Sequence, residues 1–369
     1  MKSDKYLSLA DIAIIYDSKR IPLNSRERSQ RKGDIPYYGA QGIVDHIDDF
    51  IFDGDYVLIA EDGENLKSRK QPIAFRARGK FWVNNHAHIV LGNEPWINDY
   101  IEAFFHYTDI SQYVTGAAQP KLNQGNLLKI KIPFEETLSK ELANTWSLLQ
   151  QKIELNNQIK ETLEQIGQTL FKKYFVDNPE SKGWDTKPLD EVADFKNGLA
   201  CQKYPAAKGD QTLRVIKIKE MSSGFTTNSD VVGSSFPSDY IIENGDLLFA
   251  WSGTLMTKIW TEGPGALNQH IFKVTSNEYS KWFYYQWVNE HLERFVMIAK
   301  SKAVTMGHIK RSHLSEVSVK IPPKEHLDKF DGLLSSFLDK QISSAIENNT
   351  LISLRNNLLP KLMSGEISV

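Results

Sequence analysis

The sequence predicts an α+β chain: two β-rich domains in tandem, each followed by a long helix, with the two helices packed on each other. Three observations carry this expectation. The first is duplication. Leu9-Ala10-Asp11-Ile12-Ala13 returns as Leu189-Asp190-Glu191-Val192-Ala193, and Gly54-Asp55-Tyr56-Val57-Leu58 as Gly245-Asp246-Leu247-Leu248-Phe249. Val83-Asn84-Asn85-His86 returns as Leu267-Asn268-Gln269-His270, and Lys131-Ile132-Pro133 as Lys320-Ile321-Pro322. The copies lie roughly 180 to 190 residues apart, far beyond the ~20–50 residues of a solenoid repeat, so whole domains are duplicated. The second is the run of short apolar strands and turn residues inside each copy. The third is the heptad-like seam that follows each copy. A duplicated module that has diverged inside a fixed frame suits two similar but non-identical binding tasks, and so a bipartite ligand.

Residues 1–133 read as the first domain. Asp55 to Ala60 is a strand bounded by Gly54 and the Asp62-Gly63 turn. Phe81-Trp82-Val83 and His88 to Leu91 are further strands, and Ile101, Phe104 and Phe105 fall at helical spacing. Lys129 to Ile132 alternates and stops at Pro133, as a final strand should. In the first helical segment, 134–178, Leu142, Trp146, Leu149, Ile153 and Asn156 follow 4-3-4-3 spacing. Ile159, Leu163, Ile166, Leu170 and Tyr174 continue the stripe over about 40 residues, or roughly 60 Å of helix.

Residues 179–322 repeat the β-rich pattern. Leu213 to Ile218 alternates as a half-buried strand, Asp246 to Ala250 matches the Asp55 strand, and Trp282, Phe283, Tyr285 and Trp287 mark an aromatic helix. Val317 to Ile321 ends at Pro322-Pro323. A second seam fills 323–369: Leu327, Phe330, Leu334, Phe337, Leu338, Ile342, Ala345, Asn349 and Ile352, closed by Leu354, Leu358 and Leu362. Each helix alone would expose an unpaired apolar stripe, so the two are expected to pair. Asn156-Asn157 and Asn348-Asn349 fall at similar places in the two helices; seam asparagines, here Asn156 and Asn349, would fix register, with a place at the seam edge as the plain alternative.

A chain of 369 residues, 41% of them hydrophobic, fits two soluble domains, each with its own core. No apolar run reaches the ~18 residues of a membrane span, and Met1-Lys2-Ser3-Asp4-Lys5 lacks an apolar signal region. The single cysteine, Cys201, excludes an internal disulfide framework and fits a reducing cytoplasm; it reads as an inert, semi-buried residue. Net charge is −2, but the distribution is uneven. From Asn65 to Asn93 there is no acid, but there are Lys67, Arg69, Lys70, Arg76, Arg78 and Lys80. Arg26, Arg28, Arg31 and Lys32 form another cluster, and Arg294 to Ser315 is acid-free with Lys300, Lys302, His308, Lys310, Arg311 and His313. Such stretches look like footprints for phosphate, with a solvated face as the plain alternative.

Catalytic signatures are missing. No phosphate loop, no Gly-x-Gly-x-x-Gly after a strand and no Asn-Pro-Pro-Tyr-type string occurs; Asn178-Pro179-Glu180 lacks the stacking aromatic a flipped base needs. Asp53-Gly54-Asp55 reads as a turn before a strand, because its copy Asn244-Gly245-Asp246 loses a carboxylate. His86-x-His88 has no partner at metal-site spacing, and its copy keeps only His270, so no metal site is expected. The shared Asn-x-His strings suit what both halves have in common: backbone bonding at a strand end, or a phosphate contact. Residues that discriminate two half-sites should lie where the copies differ.

Several strings resemble the specificity subunits of type I restriction–modification systems. Leu358-Leu359-Pro360-Lys361-Leu362-Met363-Ser364-Gly365-Glu366-Ile367 is similar to the end of that family's second spacer helix. Leu213 to Gly224 resembles its early recognition-domain strand and turn, and Ile35 to Gly42 another variant of that region. The resemblance spans essentially the whole chain. It implies two target recognition domains, 1–133 and 179–322, and an antiparallel spacer of helices 134–178 and 323–369. It implies a non-catalytic chain without cofactor, in a prokaryotic cytoplasm, bound to double-stranded DNA. Its partners would be two methyltransferase subunits, which take S-adenosylmethionine, and ATP- and magnesium-dependent restriction subunits. Candidate DNA contacts are then Arg26, Arg28, Arg31, Lys32, Lys67, Arg69, Lys70, Arg76, Arg78 and Lys121 in the first half. In the second they are Lys196, Lys203, Lys217, Lys219, Ser252, Thr254, Lys300, Lys302, Thr305, His308 and Lys310. The spacer seam would run through Leu149, Ile153, Asn156, Leu163 and Leu170 against Leu338, Ile342, Asn349 and Ile352. Two other readings stay open: the specificity subunit of a combined type II-like enzyme, and a duplicated β-domain scaffold binding protein or glycan through Trp82, Trp251 or Trp260.

Overall fold

The computed structural model describes residues 6–301, 307–364 and 366–367. It divides into two compact units, Met1–Lys152 with Ile352–Val369, and Ile153–Leu351. The borders fall inside the two long helices, not at their ends.

The first unit is built on a six-stranded sheet ordered Ala13–Ile15, Ala87–Gly92, Phe52–Ala60, Ala74–Val83, Lys32–Gly39, Gly42–Ile47. Neighbours are antiparallel except Lys32–Gly39 and Ala74–Val83, which run parallel through Tyr37↔Trp82 and Tyr38↔Val83. The central strand is apolar on both faces, with Val57, Leu58, Ile59 and Ala60 all buried, because one face meets helix Pro95–Tyr107 and the other a cluster around Phe52 and Phe81. Pro95 opens that helix at its first position, where no backbone donor is lost. Ile97, Ile101, Phe104 and Phe105 face a core completed by Leu142, Ala143 and Trp146 of the first long helix and Leu359 and Leu362 of the second. The Trp146 indole donates to Glu102 at 3.0 Å. Burial pushes that carboxyl up to about 7 and the nearby His106 down to about 4, which keeps the imidazole neutral.

The second unit repeats this plan. Asp194–Asn197, Ile271–Thr275, Leu247–Ala250 and Met256–Ile259 form a sheet in the order of the first four strands above. A second sheet, Val231–Val232, Leu213–Ile216, Gly265–Leu267, Ile241–Ile242, contains the matching parallel pair Val215↔Ala266. One long strand, Ala74–Val83, does in the first unit what Met256–Ile259 and Gly265–Leu267 do separately in the second. Each repeat is closed by a short ladder of its ends: Tyr6–Ser8 with Lys131–Pro133, and Asp185–Pro188 with Ser318–Ile321.

Three local expectations are corrected. Leu213 to Ile218 is not one strand: it stops at Ile216, and Ile218–Ser223 is helical, because the Glu220 carboxylate accepts the Lys217 amide at 3.2 Å and caps a turn. Lys129 ends a short helix, leaving Lys131–Pro133 as the strand. Asp53-Gly54-Asp55 lies within strand Phe52–Ala60, opposite Lys80, Gly79 and Arg78, with Gly54 at φ +151°.

The long helices are Glu136–Phe171, followed by a π-helical turn Lys172–Val176, and Lys324–Ser364, which runs on through Pro360. Within each unit they pair antiparallel. In the first, Arg355 donates to Gln150 at 3.0 Å and covers the Trp146 ring. In the second, Tyr174 meets Phe330, and Asn156 donates to Asn348 at 2.9 Å and Glu347 at 2.8 Å. Asn348 returns bonds to the Ile153 carbonyl and Asn157. The seam asparagine of the second helix is therefore Asn348, buried, and not Asn349, which is exposed and donates to the Thr261 carbonyl. Leu338 is buried; Leu149, Ile153, Leu163, Leu170, Ile342 and Ile352 are half-buried.

Candidate nucleic-acid interface

Folding brings acceptors from elsewhere in the chain to the basic stretches. Arg76 lies between Asp55 and Asp99, its side chain only 7% exposed, and pins the sheet to helix Pro95–Tyr107. Arg69 adopts a left-handed backbone (φ 50°) and donates to the carbonyls of Phe105, His106 and Thr108, which the helix end leaves without partners. Both arginines make contacts that hold the fold. Arg28 and Lys32 pair with Asp45, and Arg31 with Asp48 and Asp49. The Lys32 ammonium, with the His46 amide, holds the Asp45 carboxyl down to about 2. Arg28 and Arg31 also cover the rings of Tyr37 and Trp82.

Lys67 donates to the carbonyls of Gly116 and Ala117, Lys196 to that of Asp239, and Lys217 pairs with Asp230. Ser252 is buried, whereas Arg26, Lys70, Arg78, Lys203, Lys219, Thr254, Lys300, His308 and Lys310 are exposed. Lys302 and Thr305 lie outside the described residues. Trp82 and Trp260 are buried, each indole donating to a carbonyl, Ile21 and Gly263, so neither lines a sugar site. Cys201 is buried, its thiol against the Leu267 carbonyl.

These placements separate Arg76 from the exposed Lys70 and Arg78, the last of which also meets Asp55 at 3.6 Å. Arg76→Ala should lower unfolding stability by about 3 kcal/mol, because Asp99 stays largely buried without its ion pair, and should leave the salt slope of DNA binding unchanged. Lys70→Ala with Arg78→Ala should do the reverse, flattening the slope by about 0.9 for each phosphate that is no longer neutralised. Calorimetry and a salt titration of the assembled complex read both.

At one end of the sheet in each unit, three chain segments meet in the same backbone pattern. In the first unit the Glu61 amide donates to the His86 carbonyl, Gly63 to Pro120, and Leu122 to Glu61. In the second, Trp251 donates to His270, Gly253 to Gly307, and Ile309 to Trp251. Asn84 and Asn268 each accept the amide two residues on, at His86 and His270, so the shared Asn-x-His strings close a turn at a strand end.

The side chains fastening the two junctions differ. In the first, Arg20 bridges Asp17 and Glu61 and donates to the carbonyls of Asn85 and Ala87; Lys121 pairs with Glu61 at 3.2 Å. Buried His88 spans Asp17 and the Leu122 carbonyl, and His86 meets Asp62 at 2.8 Å. Asp17, Glu61 and His88 could offer ligand atoms to an ion, but the Arg20 guanidinium already supplies the positive charge. The sequence spacing gives His88 no carboxylate; two arrive from elsewhere in the fold. In the second unit, Trp251 donates to Asn197 at 2.9 Å and packs against His270, Phe272 and His308.

A model of the type I restriction modification DNA specificity domain matches residues 2–165 and again 181–356. A Haemophilus influenzae chain curated as a putative type I restriction enzyme specificity subunit is 26% identical over 90% of this chain and 88% of its own length. The Methanocaldococcus jannaschii MjaIX specificity subunit is 22% identical over 91% and 88%. The crystal structure of a type-I restriction-modification system S subunit from M. genitalium superposes with a TM-score of 0.65 over 97% of this chain and 95% of that one, at 14% identity, a likeness of fold. With both repeats matched, the chain belongs to the type I restriction–modification DNA specificity family, as a non-catalytic specificity subunit.

Proposed function

We propose that each unit reads one half of a bipartite duplex target and that the paired helices set the number of unread base pairs between the halves. The carrying observation is the two-fold repetition of one sheet plan and one strand-end junction, with different side chains fastening each copy. Exposed cations such as Lys70, Arg78, Lys219 and Lys310 would position the duplex through phosphate, while base-edge contacts specify. Methyltransferase subunits carrying S-adenosylmethionine would dock on this chain, with ATP- and magnesium-dependent restriction subunits in the complete assembly, in the cytoplasm. No helix of the described residues is long and apolar enough to cross a membrane.

The test is methylation mapping of DNA treated with the reconstituted complex. The expected motif has two short specific segments around a fixed unread gap, and the isolated chain gives neither methyl transfer nor cleavage. A single uninterrupted motif, or turnover by the chain alone, would overturn the reading.

A further inference from the structure

Within the bipartite reading above, the repeated strand-end junction points to which side chains discriminate bases. Both copies keep the backbone bonds that shape the junction and both keep the Asn-x-His turn. What changes is what projects from it. The alignment of bonds pairs Glu61-Asp62-Gly63 with Trp251-Ser252-Gly253 and Pro120-Lys121-Leu122 with Gly307-His308-Ile309. The shared turn pairs Asn85 with Gln269.

At the matched positions a supporting layer lies inward. Asp17, His88 and Ser252 are buried, and Arg20 and Glu61 are nearly so. That layer is ionic in one unit and aromatic in the other, and either version locks the three segments together. Asn85, Lys121 and His308 stand exposed on top of it, and Gln269 is half-exposed. Rigid backing beneath exposed hydrogen-bonding groups is what discrimination between base edges requires, because a side chain loose by an ångström cannot tell one pattern of donors and acceptors from another. An amide reads adenine bidentately, and a lysine ammonium donates to guanine O6 and N7. Cations flank both junctions: Lys67 reaches the Gly116 and Ala117 carbonyls of the turn beside Lys121, and Lys310 follows His308 by two residues.

We propose that Asn85 and Lys121 determine the base preference of one half-site, and Gln269 and His308 that of the other. Beneath these groups lie Arg20, which donates to the Asn85 carbonyl and to the Glu61 that pairs Lys121, and Trp251, which packs against His308.

The experiment uses the reconstituted complex and a DNA library with both half-sites randomised, read by methylation-sensitive sequencing. Asn85→Ala and Lys121→Ala should each relax the preference at positions within one half by about 10- to 100-fold and leave the other half unchanged. Gln269→Ala and His308→Ala should do the same to the opposite half. Lys121→Arg, which keeps a cation for Glu61 and donors for guanine O6 and N7, should retain the preference that Lys121→Ala loses and leave the unfolding midpoint in place. A uniform loss on all sequences, or unchanged preference from folded, assembled alanine variants, would overturn the proposal. If an exchange of the whole repeat moves one half of the target while these variants move neither, the junction proposal fails and the bipartite reading stands. If the parent complex shows no two-part target, the bipartite reading itself fails.

Discussion

Replacing residues 180–322 with the matching segment of a related specificity subunit should change one half of the methylated sequence and leave the other half as it was. The expectation rests on how the segment is closed. Its ends meet in the ladder Asp185–Pro188 with Ser318–Ile321, so donor and recipient are joined at two adjacent strands, as an inserted domain is. Inside the ladder the segment carries its own clusters around Ile216, Leu248 and Trp260, and around Val215, Val232 and Phe236. One face is not independent. Trp282, Phe283 and Trp287 of helix Lys281–Glu290 share a core with Phe171, Phe175, Phe330 and Leu334 of the helical segments. These three aromatics should be retained in the graft, since a truncated core aromatic costs about 3–5 kcal/mol. With them kept, discrimination against the original half-site should rise by roughly a thousandfold or more, because each mismatched pair costs about 1–3 kcal/mol and several change together. Methylation mapping reads the outcome. A graft that assembles, methylates and alters both halves at once would show a single composite recognition surface.

The plan of each repeat was legible because the four recurring strings sit at structurally equivalent places. Leu9–Ile12 and Leu189–Val192 are matching helical turns, the Asp55 and Asp246 strings enter matching central strands, and the Asn-x-His strings close matching turns. The heptad stripes likewise gave two long helices. Register within a stripe was harder: counting by threes and fours from Ala345 reaches Asn348 or Asn349, and only the partner helix, through Asn156 and the Ile153 carbonyl, decides for Asn348. Charge was the least legible property. Arg69 and Arg76 look like a phosphate footprint in one dimension, yet their partners come from helix Pro95–Tyr107 and strand Phe52–Ala60, brought near by topology. The pairing of the junction residues across the two repeats was hidden for a related reason. Lys121 and His308 share no sequence similarity, and Glu61 and Trp251 perform one supporting task with opposite chemistry, so only the backbone bonds reveal them as counterparts.

Lengthening both long helices by one heptad should keep both half-sites and widen the gap between them. The insertion points follow from the seam. Asn156 faces Asn348 within one unit and Gln150 meets Arg355 within the other, so seven residues added after Lys152 need seven added before Ile352 to keep every existing partner. A heptad returns the apolar stripe to nearly the same face, and an inserted pattern with two apolar seam positions continues the pairing. An insertion in one helix alone would slip the seam, bury the Asn156 amide without Asn348 and cost on the order of 1–3 kcal/mol for the unmet polar group alone. Seven residues add roughly 10 Å of helix, about three base pairs along the duplex axis, less whatever the tilt of the helices removes. Methylation mapping in cells carrying the doubly extended subunit gives the gap directly, and the singly extended subunit should assemble poorly and methylate little. An active, doubly extended complex with the original gap would mean that the helices hold each unit together without measuring the distance between half-sites.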